Sequence, residues 1–232
     1  MSNTSFIVFY RTSVKFGKTP LDGADAAITM RSLYQSFDAK EIVVISDNNQ
    51  PYHSLYFENN GHMVYRTSMG NSRSFLLQIK LALKFYYADY YYFVEDDHLH
   101  LDRQKEFIIE GLKYFDIVSL YDHPDKYTSL YSHLQTRLVA TALGHFRDAP
   151  STVMTFAINR KTLEKLGPFF LASPWIKDQS DYPKDNLLFE DLTKMGFKLG
   201  TLIPSRSTHC EATGLTPYVD WNAFINFLRN KP

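Results

Sequence analysis

Residues 90–100, Tyr-Tyr-Tyr-Phe-Val-Glu-Asp-Asp-His-Leu-His, run an apolar stretch directly into three consecutive carboxylates and two histidines. The apolar part, Tyr90 to Val94, reads as a buried strand. Glu95, Asp96 and Asp97 then emerge together at its carboxyl end, where open α/β sheets collect their ligands. Three adjacent like charges are costly, and a divalent cation relieves the repulsion. Mg²⁺ and Mn²⁺ prefer oxygen ligands, a nucleotide diphosphate would complete their shell, and such an ion stabilises charge growing on a departing phosphate. The competing reading is a solvated acidic turn followed by a helix to Phe115 that Asp102 caps. His98 and His100 offer nitrogen ligands, although the His-Leu-His alternation reads more simply as an exposed strand extension.

The elements that must hold this cluster follow from apolar periodicity. Phe6–Tyr10 and Glu41–Ser46 are continuous runs that read as buried parallel strands, ending at Arg11-Thr12-Ser13 and at Asp47. A loop from Lys15 to Asp22 leads into a helix over Ala24–Phe37. A weaker strand lies near His62–Tyr65, and a long helix over Ser72–Tyr87 precedes the acidic strand. Ile117–Tyr121 is a further strand. Residues 122–150 are ambiguous, with a partial helix around Tyr131 to Leu143. Thr152–Ile158 is a strand, and Asn159 caps a helix that Gly167-Pro168 stops. A helix with Leu188, Leu192 and Met195 as its inward stripe ends at Gly196, and Leu199–Ile203 is the last strand. Strands alternating with helices imply a single α/β/α sandwich with a central, mostly parallel sheet.

Composition narrows the function classes. The 232 residues are 44% apolar, enough for one substantial core, and 25 basic residues balance 25 acidic ones. That neutral balance, with no Lys/Arg block, disfavours a nucleic-acid partner. A single cysteine, Cys210, rules out an internal disulfide and fits a reducing compartment, and Cys210 has no convincing catalytic partner. No 18-residue apolar stretch and no signal-peptide pattern is present, so a cytoplasmic, membrane-free enzyme is expected.

The ordered set of segments resembles the GT-A glycosyltransferases over roughly residues 5–210. Glu95-Asp96-Asp97 looks like an EDD form of that family's DxD motif, and the departure at the first position leaves the role of Glu95 open. The resemblance implies Asp97 as metal ligand, with Glu95 and Asp96 toward the donor ribose or the hydrated metal. It places Arg11, Thr12 and Asp47 at the nucleoside and Arg73, in Met69-Gly70-Asn71-Ser72-Arg73, beside the diphosphate. Ser151–Phe169 looks like the strand and helix bordering the acceptor pocket, with Asn159, Arg160 and Leu163 matching. Glu190-Asp191 corresponds to the acidic pair that supplies the base in inverting relatives. Helical phase favours Asp191 as base and Glu190 as an orienting group. His209 corresponds to a late histidine that completes the metal site, and its nitrogen favours Mn²⁺ over Mg²⁺.

The implied activity is metal-dependent transfer of a sugar, with inversion, from a nucleotide-sugar donor to an acceptor hydroxyl. A UDP-sugar is the default donor, with GDP- and dTDP-sugars as alternatives; the acceptor is a glycan, lipid-linked saccharide, protein or small molecule. Two other readings stand beside it. One is a nucleotide-sugar-binding protein without turnover; the other is a metal-dependent nucleotidyltransferase, for which Lys15-Phe16-Gly17-Lys18 makes a poor phosphate loop. The chain divides into a nucleotide-sugar half to about residue 120, an acceptor-side half to about 210, and a tail over 211–232.

Overall fold

The computed structural model describes residues 4–13, 21–85, 87–179 and 183–231. The loop expected over Lys15–Asp22, with its Lys15–Lys18 segment, lies largely outside them, as does Tyr86. The chain begins β1 (Phe6–Ser13), α1 (Ala26–Leu33), β2 (Ile42–Asp47), α2 (Pro51–Asn59), β3 (Met63–Thr67) and α3 (Asn71–Lys84). It continues through β4 (Tyr90–Glu95), β5 (His98–His100), α4 (Gln104–Gly111), β6 (Ile117–Ser119), β7 (Leu138–Ala140) and β8 (His145–Asp148). The last part holds β9 (Phe156–Asn159), α5 (Arg160–Ala172), α6 (Pro174–Lys177), α7 (Asp185–Lys194), β10 (Leu199–Ile203), β11 (Ser207–His209) and α8 (Trp221–Asn230).

Among the described residues the main sheet has nine strands in the order β3-β2-β1-β4-β9-β6-β10-β8-β7. Only β8 and β9 run against the other seven, so the sheet is mostly parallel. Its central strands are buried on both faces. On β1, Ile7 and Phe9 join one core with α3, α5, α6 and α7, whereas Phe6, Val8 and Tyr10 join a second core with α1, α2 and α4. Two-sided burial explains continuous apolar runs in place of clean alternation. Because α1 and α2 lie on one face and α3 on the other, the connections diverge between β1 and β4. That crevice is the topological switch point of the sheet.

A smaller antiparallel sheet pairs β5 with β11, and α1 and α8 cover it through Ile28, Leu99, Trp221, Ile225 and Leu228. The residues after 211 therefore include a packed helix. His98 and His100 are fully buried, correcting the expectation of an exposed extension: pairing with β11 and packing under α1 remove them from water.

Four other expectations change. Arg103, at φ 59°, occupies the N-cap of α4, while Asp102 pairs with Arg206; the helix ends at Gly111, short of Phe115. Asn159 does cap α5, accepting from the Thr162 N–H at 2.9 Å, but α5 passes through Gly167-Pro168 to Ala172. Burial of Leu166 and Phe170 on the sheet outweighs the one hydrogen bond that Pro168 forfeits near the helix end. The segment from Tyr131 to Leu143 begins at the end of a 3₁₀ turn and holds strand β7, with no α-helix. Met195 lies past the end of α7 and is 53% exposed, so the buried stripe is Leu188, Phe189 and Leu192.

Gly200 of β10 lies against the ring of Phe115, and a Cβ there would fall 2.5 Å from Phe115 Cγ. Gly200→Ala is expected to lower stability by about 1–3 kcal/mol through overpacking. A urea titration should show a lower midpoint at unchanged slope.

Candidate active site at the β1–β4 switch point

Parallel pairing of β1 with both β2 and β4 brings Ser13 opposite Asp47 and Arg11 opposite Glu95 at one end of the sheet. Alternation sends Glu95 and Asp96 to opposite faces, and the turn after β4 carries Asp97 away from both. Glu95 follows Tyr91 and Phe93 toward the α3–α7 face and forms a largely buried ion pair with Arg11. Burial opposes the charge on Arg11, but Glu95, Asp96 and Asp97 together hold the guanidinium above the usual arginine range.

Asp96 points to the opposite face. Its carboxylate accepts from Thr12 Oγ1 at 2.8 Å and the Ser13 N–H at 3.3 Å, and its carbonyl accepts from Thr29 Oγ1 at 3.1 Å. Asp97 begins the turn into β5. Its Oδ1 lies 3.0 Å from His98 Nδ1 and its Oδ2 lies 3.3 Å from His209 Nε2.

The β5–β11 register places His98 directly opposite His209, and directly opposed residues on one face are close neighbours. Ligand atoms of Asp97, His98 and His209 all lie within 4.8 Å of one another. Glu211 Oε2 is 3.8 Å from the other ring nitrogen of His209, which adds a second negative charge near that imidazole. Burial lowers the pKa of His98 against the pull of Asp97, so the ring favours the neutral form that binds metal. His98 Nδ1 lies near Asp97 Oδ1 and 3.3 Å from Thr155 Oγ1, while Nε2 is buried without a hydrogen-bond partner among the described residues. Two imidazoles, one of them with an orphaned buried nitrogen, and a carboxylate fit a divalent transition ion such as Mn²⁺.

Across from Glu95 stands a residue that sequence reading passed over. Asp185 opens α7, and burial, with the charge of Glu95 adding to it, raises its carboxyl to about 6. Lys126 also acts on Asp185; it is buried, bonded to Asp125 at 2.7 Å, and set over the Tyr131 ring at 4.2 Å. Nearby, His123 bonds Asp125 at 2.9 Å and senses His209, so the loop of residues 122–131 forms a wall of the site. The signal for Asp185 was its position at a helix start, where the N–H groups of a first turn attract a carboxylate. Lys126 had no sequence signal, since a buried lysine is identified only by its surroundings.

The remaining sequence candidates lie around this centre in different ways. Asp47 is buried and accepts from Thr67 Oγ1 at 2.6 Å, the Met69 N–H at 2.8 Å and the Gly70 N–H at 3.0 Å, so it ties down the β3–α3 loop. Arg73 is exposed on the first turn of α3. Asp191 lies six residues beyond Asp185, about 9 Å further along the helix axis. It is held by Trp175 Nε1 at 2.7 Å and Lys194 at 3.1 Å, and those two bonds lower its pKa. Glu190 is half-buried beside it.

No protein-family model matches the sequence, and no curated protein matches it. Solved structures do resemble the fold. GalNAc-T7 with UDP, GalNAc and Mn²⁺ matches at a TM-score of 0.60 and 14% identity, over 90% of this chain and 44% of that one. S. aureus TarS 1-349 matches at 0.50 and 12%, over 88% and 59%. CMP:2-keto-3-deoxy-manno-octonic acid synthetase complexed with CTP matches at 0.50 and 12%, over 97% of each chain. The chain thus spans less than two thirds of GalNAc-T7 and of TarS 1-349 and nearly all of the synthetase. The fold is of the GT-A type. At these identities the likeness shows the fold alone. No helix among the described residues is long and apolar enough to cross a membrane.

The raised carboxyl of Asp185 has a consequence for stability. Its folded pKa of about 6 lies above the ordinary 3.8, so the native state holds the extra proton between them. Stability from this group is full below the unfolded pKa and falls as pH rises through about 6. Asp185→Asn removes the penalty. Its stability advantage over wild type should grow between pH 4 and pH 8 by on the order of 2 kcal/mol, read from urea unfolding at each pH.

Proposed function

We propose that the protein is a metal-dependent glycosyltransferase that moves a sugar from a nucleotide-sugar donor to an acceptor hydroxyl with inversion. The observation that carries this reading is the Asp97–His98–His209 cluster beside the switch point, with the raised carboxyl of Asp185 facing Glu95. Asp97, His98 and His209 would hold Mn²⁺, or Mg²⁺ in second place; when bound, the ion supplies positive charge to the donor diphosphate. Arg11 adds a fixed cation at the same strand tip, and its bond to Glu95 keeps the guanidinium in place.

Asp185 is the general base in this reading, taking the role that resemblance gave to Asp191. A base works best with a pKa near the working pH and with its carboxylate open to the acceptor. Asp185 has a pKa of about 6, whereas Asp191 is drawn to Trp175 and Lys194 with its pKa lowered. The acceptor hydroxyl gives its proton to Asp185 while its oxygen attacks the anomeric carbon, and the nucleotide diphosphate leaves. One displacement inverts that carbon. Lys126, beside Asp185, keeps the pKa of the base from rising further. A UDP-sugar is the donor to try first.

The nucleotidyltransferase reading rests on the full-length likeness to the CTP-bound synthetase, and it differs in its products. A panel of nucleotide sugars and nucleoside triphosphates, with product mass and pyrophosphate release measured, separates the two; pyrophosphate release from a triphosphate without sugar transfer would replace the proposal.

Calorimetry should show Mn²⁺ binding to wild type and a loss of roughly tenfold or more in Asp97→Ala and in His98→Ala, as for a ligand or orienting group of a metal site. Equal affinity in all three proteins would remove the cluster as the metal centre. Asp185→Asn is expected to keep donor and metal binding while slowing transfer by roughly 10²–10⁴, the range for a lost general base. In wild type the rate should fall as pH drops below about 6, because the base is then protonated. Near-normal transfer by Asp185→Asn, with Asp191→Asn inactive, would return the role to Asp191.

A further inference from the structure

At the opposite end of the main sheet from the acidic cluster lies a cavity of about 480 Å³ that the proposed reaction leaves unused. Asn159, which lines it, pairs with Tyr90 at the start of β4, whereas Glu95 ends that strand. From Tyr90 to Glu95 an extended strand rises about 17 Å, so the two places are separate sites. Lysines line the cavity from three directions: Lys161 and Lys165 on α5, Lys113 in the turn after α4, and Lys198 in the turn before β10. We infer that this cavity binds a small, multiply charged phosphate-bearing ligand. Such a site is independent of the glycosyltransferase reading.

The local charge balance carries it. In a chain whose 25 basic and 25 acidic residues cancel, the four lysines share this cavity with a single carboxylate among the described residues, Asp116. That carboxylate is already engaged, since its Oδ2 accepts from the Lys198 N–H at 2.9 Å. Lys113 bonds Glu110 at 2.6 Å, but Lys161, Lys165 and Lys198 have no ion-pair partner among the described residues. Lys161 and Lys165 stand four apart on one helical face, where like charges repel; an anion between them turns the repulsion into attraction. The start of α5 adds to the field. Asn159 caps that helix by accepting from the Thr162 N–H at 2.9 Å, and both residues line the cavity, so the positive end of the helix dipole is presented to it. Lys198 has a fixed base, because its carbonyl accepts from the Asp116 and Ile117 N–H groups at 3.0 and 3.1 Å. Lysines act on phosphate as point charges from several sides, whereas a planar carboxylate favours the fork of an arginine, and no arginine lines the cavity among the described residues. The volume falls within the range of small-molecule sites, and charges on three walls suit a compact ligand better than a polymer lying along a flat face.

The probe is inorganic tripolyphosphate, titrated by calorimetry into metal-free protein at low salt. One variant combines Lys161→Gln, Lys165→Gln and Lys198→Gln. A second combines Lys40→Gln, Lys80→Gln and Lys177→Gln, exposed lysines that do not line the cavity, and so carries the same net charge. Wild type should bind, the first variant more weakly by roughly tenfold or more, and the second within about twofold of wild type. An equal loss in both variants would reduce the effect to net charge and overturn the site. Unchanged affinity in the first variant with a native melting curve, or no binding by wild type, would overturn it too. Amide spectra of the wild type locate the probe: shifts at residues 159–165 and 196–198 are expected, and shifts confined to residues 11–13 and 95–98 would count against the cavity. Vesicles of phosphatidylcholine with and without phosphatidylinositol 4-phosphate then separate two sources of the phosphate. Co-sedimentation that needs the phosphoinositide and is lost in the first variant assigns the ligand to a lipid headgroup. Protein left in the supernatant, with tripolyphosphate bound, assigns it to a free phosphate compound.

Discussion

Three carboxylates in a row at one strand end repel one another, and the surrounding structure is arranged around that constraint. Each has a different compensation. Glu95 has the Arg11 guanidinium on the neighbouring strand, Asp96 has the hydroxyl of Thr12 and a backbone N–H, and Asp97 has two imidazoles. These partners arrive because β1 pairs in register with β4 and because β11 returns beside β5. Alternation separates Glu95 from Asp96, and the turn between β4 and β5 redirects Asp97. A concentrated negative charge thereby becomes three separate functional positions.

The two helical layers give those positions different neighbours. On the α3–α7 face, Glu95 meets Asp185 and, beyond it, Lys126; burial raises the Asp185 carboxyl toward a value useful for proton transfer. On the α1–α2 face, Asp96 meets a cleft walled by alanines and aromatic rings. Between them, Asp97 leads into the small β5–β11 sheet that α8 covers. Cys210, buried in that same apolar cluster, donates its backbone N–H to the Asp97 carbonyl at 2.7 Å, so the packing of the C-terminal segment fixes the turn that presents the cluster.

Much of the frame was legible in local sequence. The runs at residues 6–10, 42–46 and 90–94 are strands because β-branched and aromatic residues there have nowhere to go but two apolar faces. The failures share a physical origin. Pro168 did not end α5, and His98 and His100 did not face water, because in each case packing against a distant segment outweighed the local preference. Helix α2 has almost no amphipathic period, so periodicity gave no sign of it. The loop of residues 122–131 carries no regular pattern, and its lysine draws significance only from what surrounds it.

The sequence by itself determined the α/β class, the placement of an acidic cluster at a strand end and the chemistry those residue types permit. These depend on side-chain period and residue type, which are local. Only the tertiary structure decided which groups meet. It set His98 opposite His209 across 111 residues of chain, a separation that is the difference of their numbers. It put Asp185 rather than Asp191 near Glu95, and it gave Asp47 to a loop instead of leaving it open. Those outcomes depend on register between strands far apart in the chain and on the low dielectric of a packed interior, and neither is written in any single segment.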